Sequence, residues 1–389
     1  MARYGELFLK SEPVKRHFIG MLLRNMGKAL SASGLSCRFE TPRGRILIHG
    51  SHPEAIADVV SRIFGIVDVS ICSLTRSRLE DICEEAVSMA SANLHPGMSF
   101  AVRAKRQQKT GPDSQELGTL IGSEVYDHIP GLEVDLDTPD YELFVEVRDF
   151  GGLVYDFRIA GPGGLPWGTQ GRVLALLSSG IDSPVASWLM MKRGCEITHL
   201  HLDAGRWAGK DVLLAAIDNH RRLSRWCPGN PLSLVIADSE PLYDSMDTRR
   251  IPPRYRCVIC KRFMQHVAGC LMEKEGARAV ITGENLGQVA SQTLANLSVI
   301  SEAVTVPVLR PLITYDKEET ITLARRIGTF DAHPGDLSCR AVPSMPATAA
   351  PLESVKKCEE VMDVEDIVRG TLSSVRFVTA LNGEIVKET

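Results

Sequence analysis

The sequence predicts an α/β protein in which a doubly wound, mostly parallel sheet is preceded by two smaller α+β domains. Three observations predict this. Beyond residue 166, apolar runs of strand length alternate with helical stretches, the mark of a parallel sheet covered on both faces. The first 75 residues instead give the order β-α-β-β-α-β, that of a ferredoxin-like fold. Residues 76–165 carry a third pattern of amphipathic helices and alternating strands, and "GPGGLPWGTQGR" at 161–172 makes the best linker in the chain. The expected domains are therefore 1–75, 76–165 and 166–389. With 389 residues, 44% hydrophobic and 24% charged, each has the means to bury a core.

In the first domain "ELFLK" reads as a strand. Phe18, Met21, Leu22, Met26 and Leu30 recur at helical spacing, "SCRFETPRGRILIHG" gives two strands about the turn at Pro42–Gly44, "PEAIADVVSRIFGI" a helix stopped by Gly65, and "VDVSICSL" a last strand. The second domain reads "LEDICEEAVSMASANL" (helix), "SFAVRAKRQ" (strand), "SQELGTLIGSEVYDHI" (helix), then the strands "YELFVEVRD" and "LVYDFRIA". The third gives strands "VLALLSS", "ITHLHLD", "LSLVIAD", "ARAVITGE" and "VPVLRPLI", with helices at 183–193, 211–226 and 257–274. "PLESVKKCEEVMDVEDIVRGTLSSVRFV" reads as one or two helices of no assigned purpose.

Composition narrows the classes. No run of about 18 apolar residues exists to cross a membrane, and the amino terminus has charges where a signal peptide needs an apolar core. A cytoplasmic protein is expected, and ten cysteines in such a chain point to thiols, metal ligands or catalysis rather than a disulfide scaffold. A net charge of -4 does not advertise nucleic acid, yet Arg103, Lys105, Arg106 and Lys109 form a basic strand and loop. A solvated edge is the plainer reading of that run and phosphate contact the sharper one.

The segment "LALLSSGIDSPVASWLMMKRG" supplies the chemistry. Open α/β sheets bind ligands at the carboxyl ends of their strands, and Ser178, Ser179 and Gly180 are small enough for backbone N–H groups to approach phosphate oxygens. The following helix directs its positive end at the same place. Ser183 suits an N-cap, and Asp182 suits a magnesium ion or the nucleotide. No Walker-type Lys-Ser/Thr pair is present, so the loop suits a pyrophosphate leaving group while the α-phosphorus is attacked.

"SSGIDS" resembles the Ser-Gly-Gly-x-Asp-Ser signature of the PP-loop ATP pyrophosphatases, with Ser179 in place of the second Gly, where a positive φ would be strained. "GPGGLPWGTQGRVLALLSSGIDSPVASWLMMKRG", "ITGENLGQVASQTLANLSVISEAVTVPVLRPLITYDKEETITLARRIGTF", "RYGELFLKS" and "GRILIHG" resemble the tRNA 4-thiouridine synthetase family (ThiI type), over nearly the whole chain to about residue 345. The resemblance implies a ferredoxin-like domain, a THUMP RNA-binding domain and a PP-loop domain of the adenine nucleotide hydrolase kind. It implies an enzyme, a tRNA uracil 4-sulfurtransferase: ATP adenylates uridine 8 of tRNA, and sulfur displaces AMP. It also implies ATP contacts at Leu176, Leu177, His199, Leu200, Lys261, Gly283 and Gln292, and a homodimer around tRNA. His201 is read instead as a core histidine. Lys10, Arg103, Lys105 and Arg106 are the electrostatic candidates for tRNA. "LDAGRWAGKD" replaces the family's usual residues after its strand, so contacts there are not carried over.

"RYRCVICKRFM" places Cys257 and Cys260 on the first turn of a helix, on one face, where the dipole is expected to lower thiol pKa. The pair suits a redox couple or two metal ligands, without a second C-x-x-C to complete a zinc site. Cys339, in "GDLSCRAVP", matches the family's persulfide cysteine, while the rhodanese-type extension that carries a further cysteine in usual members is not found at the end of this sequence. Two sulfur mechanisms stay open: an iron–sulfur cluster on Cys257, Cys260 and Cys339, or a persulfide discharged by disulfide formation. The donor would be sulfide or a cysteine desulfurase. The other seven cysteines read as buried hydrophobes or idle thiols. Rival functions are a PP-loop tRNA ligase with a nitrogen nucleophile, and a non-catalytic THUMP RNA-binding protein.

Overall fold

The first strand lies just ahead of the place where alternation suggests it. The structure, a computed structural model, describes residues 1–107, 111–330 and 335–389. β1 (Ala2–Tyr4) takes the pairing edge of Ile66–Val69, so "ELFLK" has no strand partner and turns, as a 3-10 helix over Glu6–Leu9, into α1 (Glu12–Ala32). α1 buries Phe18, Leu22, Met26 and Leu30 of the predicted stripe. β2 (Arg38–Glu40) and β3 (Leu47–His49) form the expected hairpin, and α2 (Pro53–Val60) stops well before Gly65. "VDVSICSL" divides into β4 (Ile66–Val69) and β5 (Ser73–Thr75) on different sheets. Ser70 is the branch point: its carbonyl accepts from the terminal ammonium of Met1 at 2.7 Å, and its N–H donates to Met1 O at 2.9 Å.

α3 (Leu79–Asn93), β6 (Ser99–Arg106), α4 (Ser114–His128), β7 (Glu133–Val134), β8 (Tyr141–Arg148) and β9 (Gly151–Tyr155) follow, giving a five-stranded sheet ordered β5-β9-β8-β6-β7. "LVYDFRIA" also divides, because β10 (Ile159–Ala160) returns to pair with β4. A buried carboxylate, Glu146 on β8, is held by Arg3, Arg45 and Arg148 and accepts from Tyr155 Oη at 3.1 Å.

The rest builds one sheet. In order come β11 (Arg172–Leu176), α5 (Asp182–Lys192), β12 (Glu196–Asp203), α6 (Val212–Leu223), β13 (Leu232–Asp238), α7 (Glu240–Thr248), α8 (Arg256–Glu275), β14 (Val280–Ile281), α9 (Leu294–Ser301) and β15 (Val308–Leu309). α10 (Lys317–Ile327), α11 (Leu352–Met362), α12 (Val364–Ser373), β16 (Arg376–Leu381) and β17 (Glu384–Glu388) complete it. The strand order is β15-β14-β11-β12-β13-β16-β17, parallel from β15 to β13 and antiparallel through the last two. The segment with no assigned purpose thus makes two helices and the edge of the sheet.

Period-2 alternation of mostly apolar strands buries both faces. Leu174, Leu200 and Val235 pack on Val258, Ile259 and Phe263 of α8 and on Val355 and Val368. Val173, Ala175, Ile197 and Leu234 pack on Val185 and Trp188 of α5 and on Leu223. By contacts the described residues form two units: Met1–Gly5, Ser33–Ser61 and Ile66–Gly163 make one, and Glu6–Ala32, Arg62–Gly65 and Gly164–Thr389 the other. α1 thus belongs with the large sheet.

Candidate functional site

The chain runs β11, β12, β13 to one side and then returns to place β14 on the other side of β11. That reversal is the switch point at which such sheets take ligands. A cleft of about 360 Å³ lies there, lined from the end of β11 onward by Leu176 to Ser179 with Asp182 and Ser183 but not Gly180, by Leu200 to Leu202 and Ala204 on and after β12, and by Thr282 to Glu284 after β14, with Lys261, Gln292 and Cys339. Of the residues singled out for nucleotide or catalysis, Leu176, Leu177, Ser178, Ser179, Asp182, Ser183, Leu200, Lys261, Gly283, Gln292 and Cys339 all line it.

The loop is held from inside. Ser183, expected to cap the helix, lies within its first turn, and its Oγ accepts from Ser178 N at 2.8 Å. Gly180 N donates to Ser178 Oγ at 3.3 Å, so two N–H groups expected to face phosphate close the loop instead. Ser179 is absent from the residues with positive φ, and the Gly-to-Ser exchange therefore brings no backbone strain. Gly283 has a packing role: a Cβ there would stand 2.7 Å from Ser183 N. Asp182 is gripped by Lys317 Nζ at 2.9 and 3.1 Å and accepts from Gln288 Nε2 at 3.2 Å.

His199 is a correction. Its side chain is fully buried, with Nδ1 2.9 Å from His220 Nδ1, and it does not reach the cleft. His201, read as a core histidine, lines the cleft with Nδ1 2.9 Å from Leu177 O. His201 Nε2, Gln265 Oε1 and Gln292 Oε1, all on cleft-lining residues, are buried without a partner. Orphaned polar atoms converging on one concavity call for a polar ligand, and a purine nucleotide with its ribose and phosphates fits them. Lys261 Nζ meets Glu284 Oε1 at 2.9 Å, while Glu284 Oε2 accepts from Arg310 Nε at 2.8 Å. Burial pushes the Glu284 carboxyl up, but Lys261 and Arg310 outweigh it and hold it below the usual range.

Of the three thiols Cys339 lines the cleft, while Cys257 and Cys260 do not line it but lie near enough for Cys339 to act on them electrostatically. Cys257 and Cys260 are half-buried on the first turns of α8, and Cys339 is exposed. Their expected acidity is not found: burial, with Cys339 adding to it, raises Cys257, and burial pushes Cys260 up to about 12 against a hydrogen bond from Tyr243. Desolvation outweighs the helix dipole. Cys339 forms a β-bridge with Ala208, and Tyr243 Oη lies 2.9 Å from Cys260 Sγ. Among the described residues no three His, Cys, Asp or Glu side chains converge as metal ligands, so an iron–sulfur cluster does not fit the trio as placed.

A family model described as thiamine biosynthesis protein (ThiI) matches residues 168–364, one for the ThiI ferredoxin-like domain residues 1–70, and one for the THUMP domain residues 76–155. The chain belongs to the ThiI family. A probable tRNA sulfurtransferase of Methanothermobacter thermautotrophicus is 40% identical over 374 residues, 95% of this chain and 94% of that one. Its counterpart in Moorella thermoacetica is 38% identical over 97% of each. The crystal structure of a 4-thiouridine synthetase–RNA complex with bound ATP matches with a TM-score of 0.84 at 31% identity, covering 99% of this chain and 98% of that chain. PH1313 from Pyrococcus horikoshii matches at 0.64 with 26% identity, covering 84% and 98%.

In this ThiI chain the RNA candidates are divided between the two units. Arg103 and Lys105 line a groove of about 770 Å³ between β6 and α4, with Gly118, Gly122 and Tyr126 opposite. Arg103 is engaged by Glu142 at 2.7 Å and Leu136 O at 2.7 Å, while Lys105 is exposed. Arg106 does not line that groove, Lys10 lies in the other unit, and Lys109 lies outside the described residues. Sequence reasoning passed over Lys317, Gln288, Tyr243 and Glu284. Glu284, Gln288 and Lys317 all stood within "ITGENLGQVASQTLANLSVISEAVTVPVLRPLITYDKEETITLARRIGTF", a stretch that carried the resemblance, while Tyr243 had no such signal.

Proposed function

We propose that this ThiI-family chain is an ATP-dependent tRNA sulfurtransferase that adenylates uridine 8 of tRNA and replaces its O4 with sulfur to give 4-thiouridine. One observation carries the reading: Cys339 lines the same cleft as the Ser178–Ser183 loop. A nucleotide loop beside a thiol is what activation followed by sulfur transfer requires. The relatives named as tRNA sulfurtransferases and the RNA- and ATP-bound neighbour support it.

In this reading uridine O4 attacks the α-phosphorus and pyrophosphate leaves, with the start of α5, Lys261 and Lys317 supplying positive charge beside it. Asp182 is the carboxylate that magnesium on the triphosphate would meet, at the expense of its bond to Lys317. The terminal sulfur of a Cys339 persulfide, received as sulfane sulfur from the persulfide of a cysteine desulfurase, attacks C4, and AMP departs. A thiolate of Cys257 or Cys260 then attacks Cys339 Sγ, releasing 4-thiouridine and leaving a disulfide that a dithiol reductant opens. The modules of this reading are 1–75, 76–165 and 166–389, with Lys10, Arg103, Lys105 and Arg106 as its tRNA contacts. A cytoplasmic homodimer completes the reading; no helix among the described residues is long and apolar enough to cross a membrane.

The decisive variants are Asp182→Ala and Cys339→Ala. The first should lose pyrophosphate release while still binding tRNA, and the second should keep pyrophosphate release and lose thiolation. Unchanged thiolation in Cys339→Ala would sink the reading. Iron and acid-labile sulfide, measured on anaerobically purified protein beside a Cys257→Ala, Cys260→Ala double variant, should both be negligible. Iron present in the parent and lost in the variant would overturn the persulfide route in favour of a cluster.

A further inference from the structure

The segment Ala204–Asp211 departs from the family pattern, and the nucleotide cleft alone does not explain its geometry. Its backbone clasps the loop of Cys339. Arg340 N donates to Trp207 O at 2.8 Å, Gly209 N donates to Ser338 O at 2.8 Å, and Ala208 bridges Cys339 itself. The clasp admits no side chain at its centre, since a Cβ on Gly209 would stand 1.9 Å from Asp336 O.

The side chains of the same segment turn to α7. The Trp207 ring stacks on Tyr243 with centroids 6.1 Å apart and planes 28° from parallel, and Trp207 Nε1 donates to Asp244 Oδ1 at 2.8 Å. Arg206 adds bonds to Glu240 at 2.6 Å and Asp244 at 2.5 Å, so one face of α7 is fixed to this segment. Tyr243, 5% exposed, brings its hydroxyl to 2.9 Å from Cys260 Sγ. One short stretch therefore holds Cys339 through its backbone and Cys260 through Trp207 and Tyr243.

The geometry assigns to Tyr243 the role of a positioning residue for sulfur transfer: braced by Trp207, its hydroxyl fixes Cys260 Sγ in register with the clasped loop that carries Cys339. The assignment rests on the reading that these thiols handle the sulfur. A buried phenol beside a half-buried thiol also removes one of the rotamer freedoms that would otherwise have to be lost at each turnover.

Tyr243→Phe tests it, because the ring and its stack stay and only the hydroxyl goes. The expected result is thiolation slowed about tenfold, the loss of one hydrogen bond at the reacting sulfur, with KM for ATP and tRNA, the rate of pyrophosphate release and the melting temperature unchanged. Gly209→Ala, which displaces the other arm, should show the same split between the two half-reactions. Thiolation at the parent rate in Tyr243→Phe overturns the assignment, as does an equal fall in pyrophosphate release and thiolation, which marks a general structural role. Cys339→Ala run alongside separates the failures. If it is inactive while Tyr243→Phe is unaffected, only the assignment falls; if it still thiolates, the underlying reading falls and takes the assignment with it.

Discussion

Glu284 carries two cations on one carboxylate, and it shows what single residues do here. It is 6% exposed, its two oxygens are shared between Lys261 and Arg310, and Thr282 Oγ1 donates to it at 3.0 Å. Replacing it by Gln leaves two positive groups facing one neutral amide. Removal of one partner from a buried ion pair typically costs about 3–5 kcal/mol, so Glu284→Gln should lower the melting temperature and raise KM for ATP through a displaced Lys261. An unchanged KM would show that Lys261 is placed by other contacts. The residue scale also shows where reading the sequence stops. His199 and His201 face the same side of β12, as alternation requires. Alternation does not say that the cleft sits at the carboxyl end of the strand, two residues further along. Tyr243 and Trp207 gave no signal because their meaning lies in a stack between segments far apart in the chain.

At the scale of elements, β14 must come close to the first turn of α5, and Gly283 is what lets it. A methyl group 2.7 Å from Ser183 N forces the helix or the strand end to move. Gly283→Ala should therefore cost about 1–3 kcal/mol, as overpacking of tight sites does, and weaken ATP binding more than tRNA binding. Parent-like ATP affinity, measured by calorimetry, would refute this. The strands and helices that define the nucleotide site, β11, α5, β12 and α8, were legible because their apolar runs and periods are unbroken. "VDVSICSL" and "LVYDFRIA" were each read as one strand and are two, since the pattern of alternation carries no mark of which sheet a strand joins. α7 and α9 were not read at all, being short and, in α7, opening on polar residues and proline. α10 was not read either, although Asp316 and Glu319 make a capping box, which the structure forms.

At the scale of the molecule, the two units hold different acid-sensitive groups. In the smaller one, burial pushes Glu146 up, but Arg45, Arg148 and Arg3 bring it down to about 2. A carboxyl lowered in the fold contributes stability above its unfolded value, lost as pH falls from roughly 4.5 toward 2, and a shift of this size corresponds to about 3 kcal/mol. In the larger unit burial lowers His199 and brings His220 down to about 3. A histidine kept neutral by burial contributes in full above roughly 6.5, and that contribution erodes as pH falls below it. Acid should therefore loosen the large sheet first and the smaller unit at lower pH. Fluorescence of Trp188 and Trp226, which pack together in the larger unit, should change before amide exchange protection is lost around Glu146. Loss of both together would refute the order.

The large sheet draws on both ends of the chain. α1 contributes from near the start, and β16 and β17 close the far edge from the last residues. On the ribosome, which releases the chain from its amino end, α1 must wait with its apolar stripe uncovered while the whole smaller unit emerges. β13 must keep an open edge until Arg376–Leu381 has been made. Premature termination anywhere before Arg376 should therefore leave an aggregation-prone product even with every nucleotide and sulfur residue already made. The cell's quality control, rather than catalysis, is where the loss of the final hairpin would first be felt.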